Sequence, residues 1–162
     1  MRNLDLLKNQ TIVRWVGIEM ALSEGTESTP VVWEHSSVPF MQFNRLEVLL
    51  DNENVVTLLS QLDDGSDWFG IYARSLAESR LKLEPYEAGS IFRTRCVSEI
   101  PTGKVSNTKE KLDYSGNVLE FSLYIGSSVI RIVSGEVYER EDGSYWVTQI
   151  DESLLVQITG GA

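Results

Sequence analysis

Between residues 119 and 125 the chain reads LEFSLYI, with Leu119, Phe121, Leu123 and Ile125 alternating against Glu120, Ser122 and Tyr124. Successive side chains of an extended strand point to opposite faces, so this spacing makes one apolar and one polar face and fits no helix. A strand of that kind has to be covered by another sheet or by closure of its own. The following segments, SVIRIVSGEVYER and SYWVTQI, flank Asp142-Gly143. Asp-Gly is a strong hairpin signal because both residues tolerate positive φ. With a two-residue loop, Tyr138, Tyr145 and Val147 share one face of the hairpin, and Val137, Glu139, Trp146 and Thr148 share the other.

That turn has an echo, since DDGSDW at 63–68 returns as EDGSYW at 141–146. Read outward, LEVLLDNENVVTLLSQ (46–61) lies over LEFSLYIGSSVIRIVSG (119–135), with Leu46, Leu58 and Ser60 against Leu119, Ile132 and Ser134. An internal repeat of 46–71 and 119–150 is therefore expected. In the first copy Leu58, Leu62, Phe69 and Ile71 fall on one face, with Leu59, Gln61 and Trp68 on the other. Each Trp lands on the more polar face of its hairpin, and a large aromatic surface buries well only against something. Three explanations stand: the stretch 72–83, with Ala73, Leu76, Ala77, Arg80 and Leu81 at partly helical spacing, covers the Trp; a loop of three or more residues reverses the face assignment; or an exposed Trp beside carboxylates is a binding anchor.

Elsewhere, residues 2–9 read as a short helix. TIVRWVGIEMAL reads as a long strand with apolar residues at the even positions Ile12, Val16, Ile18, Met20 and Leu22. Residues 90–100 read as a strand with Arg93 and Arg95 on one face, and Cys96 opposite them as a small buried hydrophobe. The polar, turn-rich segment 101–117 reads as a long hairpin loop. Together these features predict a mainly β protein: an antiparallel sandwich or barrel of about nine to eleven strands, built from two related halves, with one or two short helices. Nothing in the composition separates independent units, so residues 1–162 are expected to form a single domain.

Several chemistries find no support. A single His, His35, leaves no His-rich metal site, and no GxSxG elbow accompanies it. Cys96 is the only cysteine, so a thiolate cluster is excluded, and no Gly-rich phosphate loop is present. Paired carboxylates are too numerous in an acidic chain to single out a hydrolase. The expectation is a protein that is not an enzyme and carries no cofactor or metal.

Charge points toward a partner. The net charge is −10, and residues 119–162 hold seven acids against two bases. A surface of this sign disfavours nucleic acid and anionic membranes and suits a basic protein. The densest feature is the second hairpin and its exit, where Glu136, Glu139, Glu141, Asp142, Asp151 and Glu152 stand against Arg140 alone and interleave with Tyr138, Tyr145 and Trp146. Asp63, Asp64, Asp67 and Trp68 form the corresponding group in the first copy. Aromatic anchors ringed by carboxylates fit recognition of a basic protein surface. Small acidic proteins that neutralise basic toxins, the immunity proteins, are similar in size and charge alone. A second reading is a barrel or sandwich that encloses a small apolar or aromatic ligand, with Trp15, Trp33 and Arg93 or Arg95 lining the cavity. A cytoplasmic location is expected from the lack of an apolar leader or spanning run, and association through an unpaired edge strand is open to either reading.

Overall fold

The period-2 stretches pair with their neighbours in sequence, as short turns favour, and the sheet they form closes on itself. The computed structural model describes residues 4–62 and 68–161. After a single 3-10 turn at Leu4–Leu7, ten strands follow: β1 (Thr11–Met20), β2 (Met41–Leu50), β3 (Val55–Leu62), β4 (Phe69–Leu76), β5 (Phe92–Cys96), β6 (Gly103–Leu112), β7 (Val118–Ile125), β8 (Ser128–Glu139), β9 (Tyr145–Gln149) and β10 (Ser153–Gly160). β1, β2, β10, β8, β7 and β6 form a closed six-strand barrel of antiparallel pairs. The other strands extend it: β3 and β4 from β2, β5 from β1, and β9 from β8. The expectation of a mainly β antiparallel protein of about nine to eleven strands is met, in the barrel form and with almost no helix. No described helix is long and apolar enough to cross a membrane.

Three strands change partners part-way along one edge. β1 pairs with β6 through Thr11 and Ile12 and with β5 from Val16 to Met20. β2 offers 41–43 to β10 and 46–49 to β3. β8 runs beside β10 from Ser128 to Gly135 and beside β9 from there to Glu139. Gly135 sits at that crossing, where a Cβ would collide with the Thr148 carbonyl.

The barrel interior is filled. Trp15, Phe43, Leu46, Phe121, Ile130, Ile132 and Leu154 belong to one buried cluster. An eight-strand barrel leaves room for little more than its own side chains, and six strands leave less. A smaller cluster of Leu22, Val38, Val133, Val137 and Leu155 lies on the outer side of β8 and β10, with Val32 and Phe40 packed against it. Gln42 ties this layer down, its amide oxygen accepting from the Val137 N–H at 2.7 Å.

Several local expectations need correction. β1 carries a bulge between Ile12 and Arg14. The extra residue switches faces, so the interior row passes from Ile12 to Trp15 and then Gly17, whose α-carbon faces Phe43 and Leu46. Residues 101–117 are not a loop, since most of them form β6, paired to β7 from Val105 to Leu112. Only Val105 of that strand is buried, so it carries no apolar alternation. Residues 72–83 form no helix: β4 runs to Leu76, and an irregular strap follows. The buried Glu47 holds that strap, accepting from the Ser79 hydroxyl and from the Arg80 N–H at 2.9 Å. Cys96 is exposed rather than packed, with Arg14 Nε 3.0 Å from its sulfur.

The segments aligned in the sequence form two three-stranded meanders, β2–β3–β4 and β7–β8–β9. Leu46 pairs with Leu58, whereas Ile132 pairs with Phe121 rather than Leu119. Ser60 and Ser134 meet directly, Oγ to Oγ at 2.7 Å, and both hydroxyl oxygens lie within hydrogen-bond distance of the Asp151 carbonyl, at 2.6 and 3.0 Å.

Candidate functional site

The β8–β9 hairpin turns through three residues rather than two. The Arg140 N–H donates to the Ser144 carbonyl, the Gly143 N–H donates to the Arg140 carbonyl, and Gly143 has φ +83°. This is a type I turn closed by a glycine in the left-handed region. Asp142 caps it, accepting from the Ser144 N–H at 2.9 Å and from its hydroxyl at 2.6 Å, and these bonds hold its carboxyl below the usual range. One extra loop residue changes every facing pair by one. Tyr138 therefore faces Trp146, while Glu139 faces Tyr145 and Val137 faces Val147. The first face turns toward solvent; the second packs on the outer cluster through Val137, Tyr145 and Val147.

On the solvent face Tyr138 and Trp146 stack with centroids 5.4 Å apart and remain 37% and 43% exposed. The Arg140 guanidinium lies 5.9 Å from the Trp146 ring. Beneath them Glu136 is buried and accepts from Ser153 Oγ at 2.8 Å. Asp151 accepts from the Tyr138 hydroxyl at 2.9 Å and from Thr148 at 3.0 Å. Carboxylate oxygens of Glu136, Asp151 and Glu152 lie within 4.8 Å of one another. Among the described residues no Lys or Arg forms an ion pair with these three. The negative charge has a local signature: the Tyr138 phenol is pushed well above its ordinary value, first by Glu136, then by burial and by Asp151. The three acids are close enough to share one hard cation, but acids crowd in this way on many surfaces, and the arrangement alone assigns no metal.

The expected partner-binding residues are thus divided. Glu136, Tyr138 and Trp146 are brought together. Glu139 and Tyr145 lie on the opposite face, where Tyr145 donates to Ser23 Oγ and packs 5.1 Å from the His35 ring. Glu141 and Asp142 are at the exposed turn. Trp68 is 52% exposed at the start of β4, without the helical cover expected for it. Asp63, Asp64 and Asp67 lie outside the described residues. Asp151 and Glu152 join the group through the tight turn into β10, a fold-back that strand alternation does not encode.

A second constellation lies at the end of the barrel where β1 finishes and β2 begins. A cavity of about 1080 Å³ is lined there by Trp33, Arg93, Arg95, Phe40, Met41 and Val156, among others. Glu19, 3% exposed, pairs with both Arg93 and Arg95, and Arg95 also makes a bidentate pair with Glu99 at 2.8 and 2.7 Å. Arg95 holds the Glu99 carboxyl down at about 2. The Arg93 guanidinium lies 4.1 Å from the Trp33 ring, which in turn meets Tyr86 edge-on at 5.6 Å. Trp33, Arg93 and Arg95 line this space as the second sequence reading expected, but it lies at the barrel mouth rather than within the barrel. Trp15 is instead in the core, its indole N–H donating to the Pro101 carbonyl at 2.9 Å. The carboxylate that organises the mouth, Glu19, was missed. Its only sequence signal is an acid inside an otherwise apolar strand, opposite an arginine-bearing one.

The chain matches no family model, no curated protein and no solved structure.

Proposed function

We propose that this is a non-enzymatic binding protein that holds a basic protein on the solvent face of the β8–β9 hairpin. The observation that carries the reading is the stacked, half-exposed Tyr138–Trp146 pair standing over carboxylates without an ion-pairing cation. The two rings offer a large contact area at low entropic cost, and their faces accept Lys and Arg side chains. The acids add long-range steering of a cationic partner and disfavour acidic competitors. A toxin-neutralising protein of the immunity type, which masks a basic enzyme with an acidic surface, is the biological role this surface suits.

The test is capture of partners from host lysate at low and high salt, using the wild type, a Tyr138→Ala/Trp146→Ala variant and an Asp151→Asn/Glu152→Gln variant. The expected result is one basic protein held at low salt, partly released at high salt, and reduced more than tenfold by either variant. Equal capture by all three proteins removes this face from consideration.

A further inference from the structure

We propose that the barrel mouth is a separate small-molecule site, for a ligand with an apolar or aromatic body and a single anionic head group, carboxylate or phosphate. The cavity of about 1080 Å³ matches the upper end of ordinary small-molecule pockets. Its floor is closed: Val156 belongs to the filled barrel core, and Met41 and Ile158 pack against that core. An apolar body therefore has an apolar surface to lie on, with Phe40 beside it.

The head group is specified by what the two arginines have left to give. Arg95 is spent, with Nε and Nη2 on Glu19 and Nη1 and Nη2 on Glu99. Arg93 gives Glu19 only its Nε, while one flat face is turned to Trp33. Its Nη1 and Nη2 make no hydrogen bond to the described residues. The guanidinium is thus fixed in direction with its fork unused, and a planar fork is the group that takes carboxylate or phosphate two bonds at a time. Holding it in place beforehand removes part of the ordering cost of binding.

His35, on the same lining, carries a second N–H that a ligand could use. The Ser37 N–H donates to His35 Nδ1 at 3.1 Å, which makes Nδ1 the acceptor and puts the proton of the neutral ring on Nε2. Charge within the mouth sets the limit of one anionic group. Glu19 and Glu99 balance Arg93 and Arg95, and Glu34 adds a negative charge to the lining. Recognition then depends on the aimed fork rather than on a positive field, and a polyanion gains nothing further.

The rival account is that Arg93 and Trp33 merely pin the 31–40 segment to β5. Titration calorimetry with indole-3-acetate, phenyl phosphate and the uncharged indole-3-acetamide separates the two. The expected result is saturable binding of at least one anionic probe with Kd below about 1 mM, and binding of the amide more than tenfold weaker, about 1.4 kcal/mol. The favoured anion distinguishes carboxylate from phosphate ligands. Arg93→Gln, with folding checked by circular dichroism, should abolish the preference for charge, whereas Tyr138→Ala/Trp146→Ala, whose residues do not line the mouth, should leave it intact. Should Arg93→Gln not fold, the wild-type comparison of the acid with its amide decides the matter alone. Equal binding of acid and amide, no saturable binding up to roughly 10 mM, or an undiminished preference in folded Arg93→Gln overturns the proposal. Because the Tyr138→Ala/Trp146→Ala variant is carried through both experiments, failure here leaves the protein-binding reading to stand or fall separately.

Discussion

The β8–β9 face and the barrel mouth are made of the same materials, carboxylates and aromatics, and arrange them oppositely. At the mouth Glu19 and Glu99 each have a guanidinium, and Trp33 is covered by one. On the hairpin three acids crowd together with no ion pair, and the rings face outward. Crowded, unpaired charge repels itself and projects a field, which favours encounter with a distant opposite charge. Paired charge projects little, but it orders side chains, and order is what a pocket needs. The difference separates a surface that attracts from a recess that discriminates.

The largest expected effect concerns stability. Glu19→Ala leaves two partly buried guanidinium groups without their shared acid and should cost about 2–3 kcal/mol in urea unfolding, discounted because both arginines reach water. Asp151→Asn relieves crowding on the hairpin and should stay within about 1 kcal/mol of wild type. Equal losses in the two variants would erase the distinction between the sites. Next in size is salt. Raising ionic strength from roughly 0.05 to 0.5 M shortens the Debye length from about 14 to about 4 Å. Capture of a basic protein should fall severalfold while binding of an acid probe at the mouth changes less.

The third prediction uses pH, where the two sites carry opposite signs. Glu99 is lowered to about 2 by Arg95, so its stabilising contribution is full above the unfolded carboxyl value of about 4.5 and is lost as pH falls toward 2. Glu99→Gln should flatten that part of the acid unfolding curve, by less than about 1 kcal/mol for so exposed a pair. Tyr138 is raised by Glu136, so its phenol favours the folded state below its ordinary value of about 10, and this is lost as pH rises through the higher folded value. Ultraviolet titration should show Tyr138 ionising late, and Glu136→Gln should bring it down toward its ordinary value. The smallest effect is chemical access: Cys96, exposed beside Arg14 on the far side of β5 from Arg95, should react with a maleimide in the folded protein. A thiol that reacts only after denaturation would mean that β5 is covered on its outer side.

The β class and the core were readable where alternation was clean. Phe121, Leu123 and Ile125 of β7 are all buried, as their spacing requires. Misreadings arose where one residue changes phase. The bulge in β1 moves Trp15 into the core, and the third loop residue of the β8–β9 turn puts Tyr138 beside Trp146. In the first copy the facing pairs moved by two, with Leu62 opposite Phe69, and the face assignment survived. β6 went unread because backbone pairing, not side-chain burial, holds most of it. The hairpin site was half visible as a cluster of acids and aromatics. The mouth was less so, because Glu19, Trp33 and Arg93 meet only when β5 joins β1.

The shared edges of β1, β2 and β8 bear on how the molecule opens. β5 and β9 are each added to a strand edge whose barrel pairing lies elsewhere along that same edge. Either can separate without breaking the ring, and local openings of that kind cost less than global unfolding. Amide protons of β5 and β9 should then exchange through small, separate fluctuations while those of β7, β8 and β10 wait for the whole barrel to open. In such a molecule the lifetime of a bound complex and the lifetime of the fold are two different clocks.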